Sequence, residues 1–357
     1  MSSLLNDIET LVLQILNSID NYSFPELLAP KKDANVVFNT ELGCYTSTMD
    51  ASVSLKSISM STKTGAYKFD CMLRTLSVIH DLLKRDVYAT KRELFYTDPN
   101  LFKNQRTSDE TLMEWSRIFS IPRDCFHIMA EAKGVCYGDL VFWDGHHVVN
   151  CKTTHHGVSI TPYVKRITDI RATKPLKYIL VVEKDAALVR LIEDNILEHI
   201  GASILITGCG FPDFATRAFL SKIAAAFPDV PVLGLADADP YGLDILCKYR
   251  FGSTAAVHEA DLAVPRLRWI GVTASDLEEF NIPRSALLSM TECDLRRGKG
   301  MLGKECWKVA PEWEKELEKM IQSEQKAEIQ SLLAVDGNLQ FLSHEYIPKK
   351  LNMGQFI

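Results

Sequence analysis

Three acidic residues follow two apolar segments that have the character of buried strands. Glu183 comes directly after the apolar run 176–182, and Asp237 and Asp239 come directly after the run 231–236. In a parallel α/β sheet, ligands gather beyond the carboxyl ends of the strands. Carboxylates at one sheet edge repel one another, and a hard divalent cation that prefers oxygen relieves the repulsion. The sequence therefore predicts a Mg²⁺ site formed by these three acids.

Two other interpretations also fit the acids. Each acid alone is equally typical of a helix cap or an exposed loop. The Asp237-Ala-Asp239 motif also occurs in phosphatases with an aspartate nucleophile, which carry it after an early strand and place a hydroxyl residue two positions on. Here Pro240 and Tyr241 follow the motif, which lies two-thirds of the way along the chain. The phosphatase interpretation is weaker for that reason.

A second set of residues whose side chains can bind metal, histidines and a cysteine, lies near the middle of the chain. Its spacing fits no standard zinc pattern and it flanks a turn, so the sequence does not favour a site there. The nine cysteines contain no Cys-x-x-Cys pair, which predicts reduced and mostly buried thiols. The residues of this set are His146, His147, Cys151, His155 and His156.

The net charge of −6 argues against a protein that binds nucleic acid by bulk attraction. A local basic cluster can still neutralise a few phosphates if its members share a face. Acids interrupt this cluster, so charge alone favours a solvated helix surface. The cluster comprises Lys84, Arg85, Lys91, Arg92, Lys103 and Arg106.

The elements that position these residues begin with an amphipathic helix over about residues 4–19. It lacks the cationic lead-in of a signal peptide, and no apolar run reaches the roughly 18 residues of a membrane span. We therefore expect a soluble, intracellular protein that does not associate with a membrane. Residues 46–64 are dense in Ser and Thr and predict a linker or loose strand, with a domain boundary near residue 65.

Three short helices are predicted next. Apolar positions over 71–85 form one helical stripe, and Thr90 with Glu93 predicts a capping box that places Tyr96 in the second turn of a helix. The segment 107–110 carries the same signal and predicts the start of a third helix. With the hairpin indicated by Asp144-Gly145, the three helices resemble a winged helix, and the alternative is a generic α+β domain.

From residue 176 strands and helices alternate. The pattern predicts strands at 176–182, 203–207 and 231–236, a helix from Asp185 to about residue 200 with Asp185 as its cap, and a second helix capped by Asp213. This βαβαβ order predicts a mostly parallel sheet covered on both faces. A further helical segment is predicted over 311–334.

These segments resemble a known family. YILVVEKDA (178–186) with LADADPYG (235–242) resembles the two halves of a toprim domain, and ATKRELFYTDPNLFKNQ (89–105) is similar to the nucleophile segment of the topoisomerase VI A-subunit family. Within that family the chain most resembles the eukaryotic meiotic branch, whose members make the double-strand breaks that initiate recombination. Two departures from the pattern, Glu93 and Cys209, remove no catalytic group.

The resemblance implies roles for particular residues. Tyr96 would be the nucleophile that forms a 5′-phosphotyrosyl link, Arg92 would lie beside the scissile phosphate, and Glu183, Asp237 and Asp239 would hold Mg²⁺. A tyrosine of pKa about 10 is only ~0.1% ionised at pH 7, so cationic help makes chemical sense. Tyr88 is the rival nucleophile, but it precedes the Thr90 cap and is expected to pack. The expected DNA contacts are Lys91, Lys103, Arg106 and Phe211 with its loop 208–212.

The resemblance also implies an organisation. The expected parts are an N-terminal helix and linker for partner docking (1–65), a winged-helix domain of the catabolite-activator type that carries the tyrosine (66–168), and a toprim domain with a helical extension (169–357). It implies double-stranded DNA as substrate and a two-fold homodimer in which Tyr96 of one copy faces the metal site of the other. It further implies accessory break-formation proteins, a nuclear, chromosome-associated location, and a separate B-type ATPase-like subunit.

Three alternatives stay open at this point. One is the A-type chain of a type IIB topoisomerase with a somatic role. The second is a toprim nuclease or primase-like protein in which Tyr96 is structural and another hydroxyl attacks. The third is a DNA-binding scaffold that positions other factors. Replacing Tyr96 with Phe separates the first two, because only a tyrosine nucleophile leaves a covalent protein–DNA product.

Overall fold

The computed structural model describes residues 2–31, 36–47, 54–130 and 132–357. The chain forms two units, each with its own apolar core. Unit 1 comprises Met1–Val37, Thr46–Glu131 and Thr254–Glu259, and unit 2 comprises Phe38–Tyr45, Ala132–Ser253 and Ala260–Ile357. The predicted division at residues 65 and 168 stays a prediction.

The first 130 residues contain helices joined by short strand pairs. Their α-helices and strands, in chain order, are α1 (Ser2–Asp20), β1 (Glu26–Pro30), β2 (Val36–Asn39), β3 (Cys44–Ser47), β4 (Leu55–Ser59), α2 (Lys63–Arg85), β5 (Ala89–Thr90), α3 (Lys91–Tyr96), α4 (Pro99–Phe102), α5 (Gln105–Phe119) and β6 (Ile128–Met129). A 3₁₀ segment, Arg123–Phe126, precedes β6.

The core of unit 1 lies between α2 and α5. Trp115 on α5 is fully buried and donates from its indole nitrogen to the carbonyl of Met72 on α2 at 2.9 Å. Ile8 and Ile15 of α1 belong to the same core, so the N-terminal helix is part of this unit. Strand β1 pairs with β4 in antiparallel register, and β5 pairs with β6 in parallel.

The rest of the chain contains the large sheet and its helices. Its α-helices and strands are β7 (Val135–Gly138), β8 (Leu140–Asp144), β9 (His147–Asn150), β10 (Val158–Ser159), β11 (Ile167–Ala172), β12 (Tyr178–Val182), α6 (Asp185–Glu193), α7 (Ile196–Ile200), β13 (Ser203–Thr207), α8 (Phe214–Ala226), β14 (Val232–Leu235), α9 (Pro240–Arg250), β15 (Arg268–Gly271), α10 (Ala274–Glu279), β16 (Leu288–Ser289), α11 (Glu292–Met301), α12 (Pro311–Ser323), β17 (Gln325–Lys326) and α13 (Ile347–Asn352). Short 3₁₀ segments are Val164–Arg166, Thr254–Leu262, Arg284–Ala286, Glu305–Val309 and Ile329–Gly337, and a π-helical turn covers Leu342–Tyr346.

The sheet of unit 2 is mostly parallel, as predicted. Its strand order is β10-β7-β13-β12-β14-β15, in which β13, β12, β14 and β15 are parallel, and β7 runs antiparallel to both of its neighbours, β13 and β10. Every residue of β13 and β14 is buried, because these apolar strands have protein on both faces. The predicted hairpin at Asp144-Gly145 is present as β8 and β9, which form a three-stranded sheet with β11 in unit 2.

Several predicted boundaries were wrong for identifiable reasons. The third helix begins at Gln105, because the Asn104 side chain caps it by accepting from the Thr107 amide. The predicted helix from Asp185 is capped at Lys184, and it breaks at Asn195, which has a left-handed φ of 54°. The segment predicted as a linker or loose strand contains strand β4, in agreement with the second alternative, and residues 48–53 lie outside the described residues. Helix α2 starts at Lys63, earlier than the apolar stripe over 71–85 indicated.

The last predicted helix is also shorter than expected. Helix α12 begins at Pro311, which occupies a first-turn position as predicted, but it ends at Ser323 and is followed by β17. Glu324, with a left-handed φ of 52°, ends the helix. Across the described ranges, no helix is both long and apolar enough to cross a membrane.

Candidate active site

Two of the predicted acids are brought together by adjacent parallel strands. Glu183 follows β12 and Asp237 lies two residues after β14, and the last residues of these strands, Val182 and Leu235, are direct partners. The Asp237 amide donates to Oε2 of Glu183 at 2.8 Å. Both side chains are buried, with exposures of 8% for Glu183 and 5% for Asp237. The sheet therefore holds a buried pair of carboxyl groups at its carboxyl edge.

Asp237 is held from a distant part of the chain as well. Its Oδ1 accepts from the Ile329 amide at 2.8 Å, and its Oδ2 lies 2.8 Å from the ammonium of Lys184. Ala238 and Ala327 exchange backbone hydrogen bonds of 2.8 and 3.3 Å beside it. These contacts fix the orientation of the Asp237 carboxylate.

Asp239 has a structural duty in addition to its predicted one. It is the N-cap of α9, and its Oδ1 accepts from the Gly242 amide at 2.7 Å. Gly242 is required for this turn, because a Cβ at that position would lie 2.5 Å from the Asp237 carbonyl oxygen. Asp239 is therefore a helix cap, as the alternative interpretation has it, and it is also part of the acidic motif.

The electrostatics of the pair favour a cation. Burial, and next the charge of Asp237, raise the pKa of Glu183 to about 7. Burial also raises the pKa of Asp237, against the opposing effect of the Lys184 ammonium. The buried oxygen donors therefore suit a hard divalent cation, and Lys184 supplies positive charge at the same place.

The acids do not form a closed ligand set in this structure. Among the residues that the structure describes, no three His, Cys, Asp or Glu side chains converge to hold a metal ion. The donor chemistry fits the expected cation, but both oxygens of Asp237 and one oxygen of Asp239 already have partners. Mg²⁺ binding by this set stays a prediction.

The loop after β13 fixes the backbone of Glu183. The Gly210 amide and the Thr207 hydroxyl both donate to the Glu183 carbonyl, at 2.8 and 3.2 Å. Cys209 in this loop has a φ of 50°, and its carbonyl accepts from the Lys133 ammonium at 3.1 Å. The 208–212 loop, predicted as a DNA contact, is thus also part of the frame of the acidic site.

Phe211 at the tip of that loop is partly exposed and has a cationic neighbour. The Arg297 guanidinium lies 5.3 Å from the Phe211 ring and 4.4 Å from the Tyr241 ring, and it forms a 2.7 Å ion pair with Asp244. Arg297 thereby connects the loop to α9 through contacts with both aromatic rings. A DNA contact by Phe211 stays a prediction.

Sequence reasoning missed the residues that support the acids. These residues are Lys184, Gly242 and Ile329, and Ile329 contacts Asp237 through its backbone amide. Lys184 is adjacent to Glu183 in sequence, so its position directly after a strand-end acid was the available signal. No comparable signal exists for Ile329, because it meets Asp237 across 92 residues of chain.

Tyr96 is presented on a short, firmly capped helix of unit 1. The Thr90 hydroxyl accepts from the Glu93 amide at 3.1 Å, and the Thr90 amide donates to Oε2 of Glu93 at 2.6 Å, which confirms the predicted capping box. Leu94, fully buried, anchors the helix. Tyr96 is the last residue of α3 and is 60% exposed, so its phenol is open to an incoming substrate.

Arg92 and the rival tyrosine are placed as follows. Arg92 is exposed and lies four positions before Tyr96, so both belong to one helix face. Tyr88 stacks on His127 with ring centroids 4.1 Å apart, in agreement with the packing role predicted for it. The structure does not test the catalytic roles of Tyr96 and Arg92, which stay predictions.

The three basic residues proposed as DNA contacts differ in their environments. Lys91 forms a 2.5 Å ion pair with Asp109, and Arg106 forms a 2.8 Å ion pair with Glu110. The exposed Lys103 lies 4.5 Å from the centroid of the Tyr67 ring. Phosphates would compete with the two carboxylates for Lys91 and Arg106, and DNA binding by these residues stays a prediction.

The buried parallel sheet with acids at its carboxyl edge is the architecture of a Toprim domain, the metal-binding module of topoisomerases. A family model for the Toprim domain of the topoisomerase 6 A-subunit/Spo11 proteins matches residues 178–351. A second, described as "Type IIB DNA topoisomerase", matches residues 67–128.

Curated relatives match over nearly the whole chain. "Meiotic recombination protein SPO11" of Mus musculus is 34% identical and covers 100% of this chain and 89% of its own length. The A-type chain of DNA topoisomerase 6 from Arabidopsis thaliana is 37% identical, over 99% of this chain and 82% of its own length. The chain belongs to the topoisomerase 6 A-subunit/Spo11 family and is a topoisomerase-like DNA-cleaving enzyme.

Proposed function

We propose that this protein makes DNA double-strand breaks that initiate meiotic recombination, with Tyr96 as the nucleophile. The observation that carries the proposal is the exposed Tyr96 phenol at the end of a capped helix, one turn beyond Arg92. Similarity to proteins named for meiotic recombination over the full chain supports the biological role.

The proposed reaction is a transesterification, in which one phosphoester bond forms and another breaks. The Tyr96 phenol loses its proton as its oxygen bonds to phosphorus, and the bond from phosphorus to the 3′ oxygen breaks. The 3′ oxygen leaves as a hydroxyl after taking up a proton, and the 5′ phosphate stays attached to the tyrosine. The Arg92 guanidinium stabilises the phenolate and the charge on the phosphate.

The buried acids are the proposed metal ligands of the reaction. We assign Glu183, Asp237 and Asp239 as the residues that hold Mg²⁺, which would fix the phosphate and offset its charge. The raised pKa of the Glu183 carboxyl supports this assignment, because it reflects first the burial of the carboxyl and then the nearby charge of Asp237. Glu183 and Asp237 are oriented in advance by the backbone contacts described above.

The assembly that we propose has two copies of the chain. One tyrosine cuts one strand, so a double-strand break needs two, and in the proposed dimer Tyr96 of one copy meets the acids of the other. Helices α2, α3 and α5 supply the helical part of the proposed winged-helix domain, and Lys91, Lys103, Arg106 and Phe211 the DNA contacts. The proposed partners are accessory break-formation proteins and a B-type ATPase-like subunit, on chromosomes in the nucleus.

The test of the nucleophile is the covalent product. Full-length Tyr96→Phe, expressed in place of the wild type, is expected to yield no tyrosine-linked DNA after nuclease digestion and mass spectrometry. Tyr88→Phe is the matched control and is expected to keep the adduct, because Tyr88 packs on His127. Breaks without any adduct in Tyr96→Phe cells would instead support the toprim nuclease.

The biological role has its own test. A strain without this protein is expected to lose meiotic double-strand breaks while mitotic growth and DNA content stay normal. Defects in somatic growth with normal meiotic breaks would assign the chain to the topoisomerase 6 role, which the names of other relatives carry. If Tyr96 still forms the adduct in that case, the proposed reaction stands and only the meiotic role is wrong.

A further inference from the structure

Lys184 lies between an acid of the proposed metal site and an acid outside it. Its ammonium is 2.8 Å from Oδ2 of Asp237 and 3.0 Å from Oε2 of Glu328. It also donates to the side-chain oxygen of Gln330 at 3.4 Å. The side chain is mostly buried, whereas that of Glu328 is more than half exposed. One cation thus bridges a proposed metal ligand and an acid near the surface.

A divalent cation bound by Asp237 would share its two carboxylate oxygens with the contacts already present there. Its Oδ1 is taken by the Ile329 amide, which is a fixed backbone donor. Its Oδ2 is taken by Lys184, whose side chain is long and has rotatable bonds. A divalent cation bound through Oδ2 would lie within about 5 Å of the ammonium and would repel it.

If the Lys184 ammonium leaves Asp237, two other acceptors lie within its reach. The backbone bonds between Ala238 and Ala327 hold Glu328 beside the acidic site, and the Glu328 carboxylate is already in contact with Lys184. Gln330 adds a neutral acceptor on the same segment. Lys184 can therefore leave Asp237 and keep its partners on the 327–330 segment, so its charge need not be left unpaired.

We propose that Lys184 competes with the divalent metal for Oδ2 of Asp237 and that Glu328 receives the ammonium when the metal binds. The inference rests on the proposed function, because it requires Asp237 to be a metal ligand. Competition of this kind lowers the metal affinity below that of the acids alone. It also ties metal binding to the 327–330 segment.

The test measures Mn²⁺ binding to the full-length protein by calorimetry and by the thermal unfolding midpoint. Lys184→Met keeps the length of the side chain and removes its charge, so we expect the Mn²⁺ dissociation constant to fall about tenfold or more. The midpoint without metal should fall, and Mn²⁺ should raise it by more than in the wild type. Lys319→Met, which removes a lysine paired with Glu316, is the control and should leave Mn²⁺ binding unchanged.

Glu328→Gln provides a second and opposite expectation. It removes the acid that receives the ammonium, so Mn²⁺ should bind a few-fold more weakly than in the wild type. Because Glu328 is exposed, this variant is expected to fold normally. Unchanged or weaker Mn²⁺ binding in Lys184→Met overturns the competition, and so does equal tightening in Lys319→Met.

Asp237→Asn separates failure of the inference from failure of the proposed function. If wild-type protein binds Mn²⁺ and Asp237→Asn does not, the acidic metal site stands and the lysine variants alone decide the competition. If Mn²⁺ does not bind the wild type, or binds it and Asp237→Asn equally, the proposed metal site is wrong and the competition is overturned with it.

Discussion

The buried carboxylate of Glu114 ties together the unit that presents Tyr96. It lies on α5 and contacts three cations: Lys56 of β4 at 2.5 Å, Lys68 of α2 at 2.9 Å and Arg117 of α5 at 3.0 Å. Burial by itself would raise the pKa of Glu114, but the hydrogen bonds from Lys56 and Lys68 outweigh it and hold the pKa at about 2. Glu114→Gln should therefore weaken this unit.

The magnitude follows from the pKa. A carboxyl whose pKa falls from 4.5 to about 2 on folding contributes at most roughly 3 kcal/mol at neutral pH. Lys56 and Lys68 are 31% and 39% exposed, and solvent screening lowers the expected value to about 1–2 kcal/mol. Because the folded pKa is depressed, this stability is complete above pH 4.5 and is lost as the pH falls from 4.5 to about 2.

The assay is amide hydrogen exchange of the α5 peptide, corrected for the intrinsic effect of pH on exchange. At pH 7, Glu114→Gln should lower the free energy of opening by about 1–2 kcal/mol, and it should reduce the loss that the wild type shows below pH 4.5. Glu110→Gln is the matched control on the same helix: its ion pair with Arg106 is exposed and should contribute under about 0.5 kcal/mol. An equal acid-induced loss in Glu114→Gln and wild type would refute the reasoning.

Three further outcomes follow from single contacts. Thr90→Ala removes the capping box and should destabilise α3 by about 1 kcal/mol, seen as faster hydrogen exchange in that helix; unchanged exchange would contradict the role of the cap. Gly242→Ala forces a Cβ against the Asp237 carbonyl and should lower both thermal stability and Mn²⁺ affinity, whereas Gly300→Ala has open space and should be neutral or stabilising by up to about 1 kcal/mol. Arg297→Met should speed exchange in the 208–212 loop with little change elsewhere in unit 2; a loop as protected as in wild type would count against the aromatic contacts.

Much of the sheet could be predicted, because its signals are local. Short apolar runs bounded by turn residues or helix signals predict buried strands, and β12, β13 and β14 formed as expected. The Thr90 and Asp213 caps were equally local, since the side chain and the amide that it satisfies are three residues apart.

The errors arose where several local signals compete. Asn104 and Thr107 are both good caps, and in the structure Asn104 takes this role because its side chain accepts from the Thr107 amide. The break at Asn195 left no hydrophobic mark, because the apolar pattern continues into α7. For β4 the Ser-rich composition left a linker and a loose strand as alternatives, and pairing with β1 decides for the strand.

The candidate site also has features that the sequence predicts and features that depend on tertiary structure. The proximity of Glu183 and Asp237 follows from strand order, which the sequence pattern supplied. The Ile329 amide as a partner of Asp237 could not be foreseen, since it depends on how a distant segment returns to the sheet, whereas Lys184 directly follows Glu183 and its place at the strand end was a usable signal. Motifs therefore identify the acids, and tertiary structure decides how their charges are balanced.

The backbone bond between Ile329 and Asp237 has a consequence for synthesis of the protein. A ribosome must add 92 more residues after Asp237 before the amide that orients its carboxylate exists, and Glu328 is made only one residue earlier. Until then the sheet edge of a nascent chain has its acids without their final neighbours. A segment made 92 residues later thus completes the surroundings of Asp237, so nascent chains that stop short of Ile329 lack the finished acidic edge.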